Sequence, residues 1–156
     1  MKGKPEVLEV LAETLKEELG AVNQYIIHAE MCANWGYKTL AGLTKKRAIE
    51  EMKHAEKLIE RLLFLEGTPN LHSLPKIEAG KDVPDQLMID LKGEQTAILS
   101  YNQGIATCNK AGDRGTADLL LANLHDEERH ANYLETQMSL IKELGLGHFL
   151  AQELEG

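Results

Sequence analysis

One offset of 76 residues organises this chain more tightly than any local motif. It carries Glu18 onto Glu94, Glu51 onto Glu127 and His54 onto His130, and with them Leu15 onto Leu91, Lys16 onto Lys92, Tyr25 onto Tyr101 and Leu58 onto Leu134. The two glutamates of each set lie 33 residues apart. Such a repeat describes one helix pair used twice about a pseudo-twofold axis.

The segments that carry the repeat read as helices. Pro5 suits the first turn of one that Gly36 stops. A second runs from about Thr39 to Glu66 and is ended by Gly67 and Pro69. Residues 67–82, with Pro69, Pro75 and Gly80, form a long extended connection. Asp82 caps a third helix, with Pro84 in its first turn and Asp85 at the capping-box position. The AGDRG stretch at 111–115 separates it from a fourth, which stops near Gly145, and LGHFLAQELEG can form a short fifth. Each long helix has about 28–30 residues, or roughly 42–45 Å at 1.5 Å per residue. The long middle connection lets helices two and three run parallel. The expected fold is therefore all-α, a four-helix bundle with one crossover and a short fifth helix, in a single domain over residues 1–156.

Helical angles decide what faces the axis. At about 100° per residue, the arc around Glu18 holds Leu11, Leu15 and Tyr25, and that around Glu51 holds His54, Leu58 and Leu62. The arc around Glu94 holds Leu87, Leu91 and Tyr101; that around Glu127 holds Leu120, Leu124 and His130. All four glutamates thus lie on apolar stripes. Burying one ionised carboxylate costs on the order of 20 kcal/mol in the idealised limit. Four together require protons, ion pairs or metal, and these arcs carry no Arg or Lys to pair with them.

Two divalent cations would balance four carboxylates, and neutral imidazoles add donor atoms without charge. Carboxylate and imidazole together suit iron or manganese better than magnesium or calcium, and the missing thiolates argue against structural zinc. The expected metal ligands are Glu18, Glu51, His54, Glu94, Glu127 and His130. The i,i+3 spacing of each Glu-x-x-His puts both groups on one helix face. One such motif is usually a surface pair; two inward ones, each matched to an inward glutamate, are not. His28, His72, His125 and His148 read as surface or interface residues, and Tyr25 and Tyr101 as bundle filler or electron donors.

Met52 sits about 130° from the mean direction of the Glu51–His54 pair and points away from the axis. Ile49, Ile59 and Leu63 lie near it, and Leu19 and Ile26 occupy the matching strip of the first helix. A second apolar strip on a bundle with a full core marks a self-associating, twofold contact. There Met52 is either an interface filler or a soft axial ligand to haem iron, supplied once by each subunit.

Charge narrows the partners. With 17 Lys and Arg against 25 Asp and Glu, the net charge of −8 opposes nucleic acid and anionic membranes and draws in cations. Cys32 and Cys108 are far apart and read as reduced, and no apolar run approaches a membrane span, so a cytoplasmic location is expected.

The stretches KEELGAVNQY, EEMKHAEKLIERLLFLEGTPNL and DEERHANYLETQMSLIKELGL, with their spacing, resemble the bacterioferritins over essentially the whole chain. The resemblance implies a ferritin-like bundle assembled into a hollow 24-subunit shell that oxidises Fe²⁺ with oxygen or peroxide and stores ferric mineral. It implies that the six residues hold two Fe ions per subunit, Glu51 and Glu127 bridging, and that Met52 ligates haem b shared between two subunits. A ferredoxin-type reductant is the implied partner for iron release. An inner-surface iron site of some relatives falls here on Lys46 and Glu50, without an imidazole, and Lys45 replaces an aromatic common near the haem. Tyr133 stands where some relatives carry Trp. The rival expectations are a non-storage di-iron peroxidase or oxidase of rubrerythrin type and a haem-binding assembly whose dimetal site is structural.

Overall fold

The computed structural model describes residues 1–155. Its helices are α1 (Pro5–Asn34), α2 (Lys38–Phe64), α3 (Val83–Lys110), α4 (Arg114–Leu144) and the short α5 (Leu146–Ala151). Among the described residues there is no strand, and no helix is long and apolar enough to cross a membrane.

Local chemistry fixes the ends. The Asp82 side chain accepts from Asp85 N at 2.9 Å, while Asp85 Oδ2 accepts from Lys81 N at 2.9 Å, so the expected capping box forms with its return bond one residue earlier. Asp113 caps α4 by accepting from Thr116 N, and Arg61 of α2 reaches both residues. Gly36, Gly112 and Gly145 take positive φ at helix ends. The second helix stops earlier than expected, at Phe64, and Glu66 rather than a glycine adopts the left-handed conformation at φ 62°. Gly67 is used for close approach instead: a Cβ there would lie 2.9 Å from side chains of Leu62 and Leu8.

Pairings across the bundle give its topology. Tyr25 meets Glu94 and Tyr101 meets Glu18, so α1 and α3 are antiparallel. Gly3 N bonds Leu65 O, so α1 and α2 are antiparallel as well, and α2 and α3 run parallel as expected. The crossover makes this possible by running back along α1. Pro75 packs on Gly20, Gln24 exchanges two hydrogen bonds with the Glu78 backbone, and His28 Nε2 accepts from Gly80 N at 3.0 Å. These three α1 positions recur every four residues and form one stripe under the strap.

The apolar core comes in two parts. One, at the α1 N-terminal end, contains Leu11, Leu15, Leu58, Leu62, Leu120 and Leu124. The other contains Cys32, Leu40, Leu87, Leu91 and Leu134, and is sealed by Phe149 of α5. Between them lies a polar layer.

Candidate metal centre

All six ligand candidates meet in that layer, and each is only 1–3% exposed. α1 supplies Glu18, α2 Glu51 and His54, α3 Glu94, and α4 Glu127 and His130. They form two overlapping groups, Glu18–Glu51–His54–Glu127 and Glu51–Glu94–Glu127–His130, each with one ligand atom per residue within 4.8 Å of the others. Glu51 and Glu127 belong to both groups. The overlap is what two neighbouring cations sharing two carboxylates need.

The inward-facing atoms lack hydrogen-bond partners. Glu18 Oε2, both oxygens of Glu51, His54 Nδ1, Glu94 Oε2, Glu127 Oε1 and His130 Nδ1 are all sealed from solvent and unsatisfied. His54 Nδ1 lies 2.9 Å from Glu127 Oε1 and His130 Nδ1 lies 2.8 Å from Glu51 Oε1, without hydrogen-bond alignment. Buried polar groups are normally paired, so this concentration within one layer points to cations.

The outward-facing atoms are well partnered, and in a crossed pattern. His54 Nε2 meets Asp126 Oδ2 at 2.7 Å, and His130 Nε2 meets Glu50 Oε2 at 2.7 Å. An ionised carboxylate only accepts, so each Nε2 carries the proton and each Nδ1 keeps its lone pair for a metal. Tyr25 Oη donates to Glu94 and Tyr101 Oη to Glu18, both at 2.5 Å, and Asn123 Nδ2 donates to Tyr101 Oη. The 76-residue offset carries Glu50 onto Asp126, a pair that the sequence reading left out and that the offset itself marks.

Without cations, protons must hold the layer together. Burial, then the neighbouring carboxylates, pushes Glu51 and Glu94 well above the usual carboxylate range. Burial opposes the charge on Glu127 too, but interactions with Glu94, His54 and Glu51 hold it low. Burial also works against a charged His54, yet Glu127, Glu18 and Asp126 raise it to about 10. Glu17, just outside the set, is raised to about 7, first by burial, with Ser100 pulling the other way. Neither cysteine contributes: burial pushes both thiols up to about 11, and they sit in separate apolar clusters.

Other sequence expectations fare unevenly. Met52 is on the outer face and 44% exposed, with Ile26, Ile49 and Leu63 also exposed; Leu19 and Ile59 are instead partly buried against the core. His72, His125 and His148 are exposed, as expected. His28 is not: it is fully buried, and its Nδ1 lies 2.9 Å from Asp90 Oδ1. Because Gly80 N donates to Nε2, the ring proton sits on Nδ1 and is donated to Asp90. At about 80° from Glu18, His28 faces α3 and the strap rather than the axis. Asp90 lay within about 40° of Glu94 and was the available clue. Lys45 and Lys46 are exposed, and Glu50 is engaged by His130.

Comparisons with known proteins agree on kinship. The ferritin-like domain family matches residues 8–144. A bacterioferritin of Brucella melitensis is 45% identical over 145 residues, covering 93% of this chain and 90% of the relative. A bacterial ferritin of Synechocystis is 42% identical over 99% of both chains, and a bacterioferritin of Mycobacterium bovis is 39% identical over 97% and 96%.

Proposed function

Because the chain belongs to the bacterioferritins, among the ferritin-like proteins, we propose that its polar layer is a ferroxidase centre taking two Fe²⁺ as substrate, in a protein that stores the oxidised iron. The observation that carries this reading is the set of unsatisfied ligand atoms on all six residues, arranged as two groups sharing Glu51 and Glu127. Four carboxylates and two imidazoles form a hard-to-borderline donor set with no sulfur, which fits iron. In this reading Glu18 with His54 holds one ion, Glu94 with His130 holds the other, and Glu51 and Glu127 bridge.

The chain's own groups then have distinct work. Asp126 and Glu50 fix the imidazole tautomers, and Tyr101 and Tyr25 orient Glu18 and Glu94 through their hydroxyls. Cation loading would displace the protons that burial and neighbouring carboxylates favour on Glu51 and Glu94 and that the surrounding carboxylates favour on His54. Each Fe²⁺ gives one electron; two electrons and two protons convert dioxygen to hydrogen peroxide, or hydrogen peroxide to two waters. The two apolar clusters close the layer along the bundle axis on either side.

Self-assembly into a 24-subunit shell, with the outer strip of α1 and α2 at a twofold contact, accommodates storage. The exposed thioether of Met52 within that strip fits haem b held between two copies, a group that would supply one-electron transfer from a ferredoxin-type reductant. A cytoplasmic setting suits this chemistry and the two reduced cysteines.

The double variant Glu18→Ala with His130→Ala tests the centre. Initial Fe²⁺ oxidation should fall by more than the roughly 100-fold upper range for losing a supporting partner, with unchanged elution on size exclusion. Oxidation at the wild-type rate would sink the reading, and elution at the size of one subunit or two would sink the shell. Met52→Ala should lose the haem Soret band while keeping ferroxidase activity; a retained band would refute the ligand assignment.

A further inference from the structure

The groove between α1 and α3 encloses a cavity of about 330 Å³ beneath the crossover. Its floor is the polar layer, for Glu18, Glu51, Glu94 and Glu127 all line it. Small residues, Gly20, Ala21 and Ala97, make its walls, and it reaches the surface beside the exposed Gly93 and Thr96. A Cβ at Gly93 would meet nothing within 4 Å. The cavity therefore connects solvent to the cluster on the outer side of two helices.

Glu17 lines this passage and belongs to neither ligand group. Ser100 Oγ donates to its Oε1 at 2.9 Å, while its Oε2 is sealed from solvent and has no partner. A solvent-excluded carboxylate oxygen without a donor costs free energy unless something supplies the missing positive charge. The internal repeat fails at this place in an informative way. The offset that preserves every expected ligand carries Glu17 onto Gly93, so one side of the passage provides a carboxylate and the other provides room. Lys76 and Lys92 reach the lining along with Glu78 and Asp90. Asp90 is buried against His28, so the exposed rim carries Lys76 and Lys92 against Glu78 alone, and the pull on a cation comes from within, from Glu17 and the carboxylates behind it.

We propose that Glu17 and Ser100 form a third cation site, at which a hydrated Fe²⁺ pauses between the surface and the two-ion cluster. One carboxylate oxygen and one hydroxyl leave most of the ion's waters in place, so the site is weak and releases its occupant inward to the stronger donor set. The proposal rests on the cluster being the ferroxidase centre.

Anaerobic Co²⁺ titration of metal-free protein, followed by visible d–d absorption and by calorimetry, tests it. Wild type should take up two tight equivalents per subunit and a weaker third, and Glu17→Gln, which keeps an acceptor for Ser100, should take up one fewer and retain the tight pair. In the same variant the Fe²⁺ concentration for half-maximal initial oxidation should rise roughly tenfold, the loss of a binding contact, with kcat within about twofold. A third equivalent that persists in Glu17→Gln, or an unchanged half-saturation, would overturn the site. Absence of the two tight equivalents in wild type would instead overturn the reading of the cluster, so the two failures are distinct.

Discussion

The two ends of the α1–α3 groove occupy equivalent positions in the repeat and are closed by opposite means. At one end, buried His28 donates to Asp90 and accepts from Gly80, clasping the crossover to both helices. At the other, the offset places Gly104 where His28 stands and Thr14 where Asp90 stands. There Val10 packs so close that a Cβ on Gly104 would lie 2.7 Å from its Cγ1, and the Thr14 hydroxyl bonds its own helix at Val10 O. Between these ends the ligands follow the offset faithfully. Symmetry is kept where two ions would demand equal surroundings and dropped where only one end must anchor a connecting strap.

His28→Leu should break this comparison most severely. It leaves Asp90 buried without its donor and Gly80 N without an acceptor, a loss of about 3–5 kcal/mol. Denaturant unfolding should register the loss, and amide exchange at Gly80 should accelerate. The mirror variant, Gly104→Ala, overpacks against Val10 and should cost about 1–3 kcal/mol with no change at Gly80. Equal costs, or equal exchange, would mean that the ends are not differently built.

The comparison sharpens at the centre. Asp126→Asn and Glu50→Gln remove crossed partners of His54 and His130, and each should lower Co²⁺ affinity by roughly 10–100-fold, to a similar extent. A gap above about tenfold between them would show that the half-sites are unequal.

The smallest effect is a pH slope of the metal-free protein. His54 binds its proton more tightly folded, so its contribution is full below about 6.5 and is lost as pH rises through about 10. Glu51 and Glu94 are also raised and push the same way from the ordinary carboxylate range upward; Glu127 is shifted down, so its contribution is lost only in acid below that range and adds no slope here. The unfolding midpoint should therefore fall between about pH 6 and 9 without metal, and a slope that Co²⁺ loading fails to flatten would contradict the proton-held layer.

The fold was legible because few, strong signals set it: Pro5, Gly36, Asp82 and Gly145 punctuate long helices, and one extended connection dictates a crossover. The ligands were legible because a charged group on an apolar stripe is costly enough to need a reason. His28 was not, since an angle measured from the bundle axis cannot reveal a strap lying over the helix's flank. The end of α2 was also misplaced, because close packing by Leu8 and Leu62 took Gly67 and left Glu66 to make the turn. Glu50 was placed only at an inner-surface position, and its pairing with His130 was not legible because a carboxylate that reaches a histidine on another helix looks, in one dimension, like any solvated charge.

The crossover has a consequence for how the chain acquires its structure. α1 with α2, and α3 with α4, are joined by short turns and form helical hairpins from contacts close in sequence, whereas the two hairpins are tethered only through residues 65–82. Local contacts form before distant ones reward loop closure. Each hairpin brings two glutamates and one histidine to the surface on which it docks, so the docking surfaces repel until protons or cations arrive. Cations bound as proposed would in this sense also be assembly factors, and refolding of the chain should quicken at its docking step when divalent cations are present from the start.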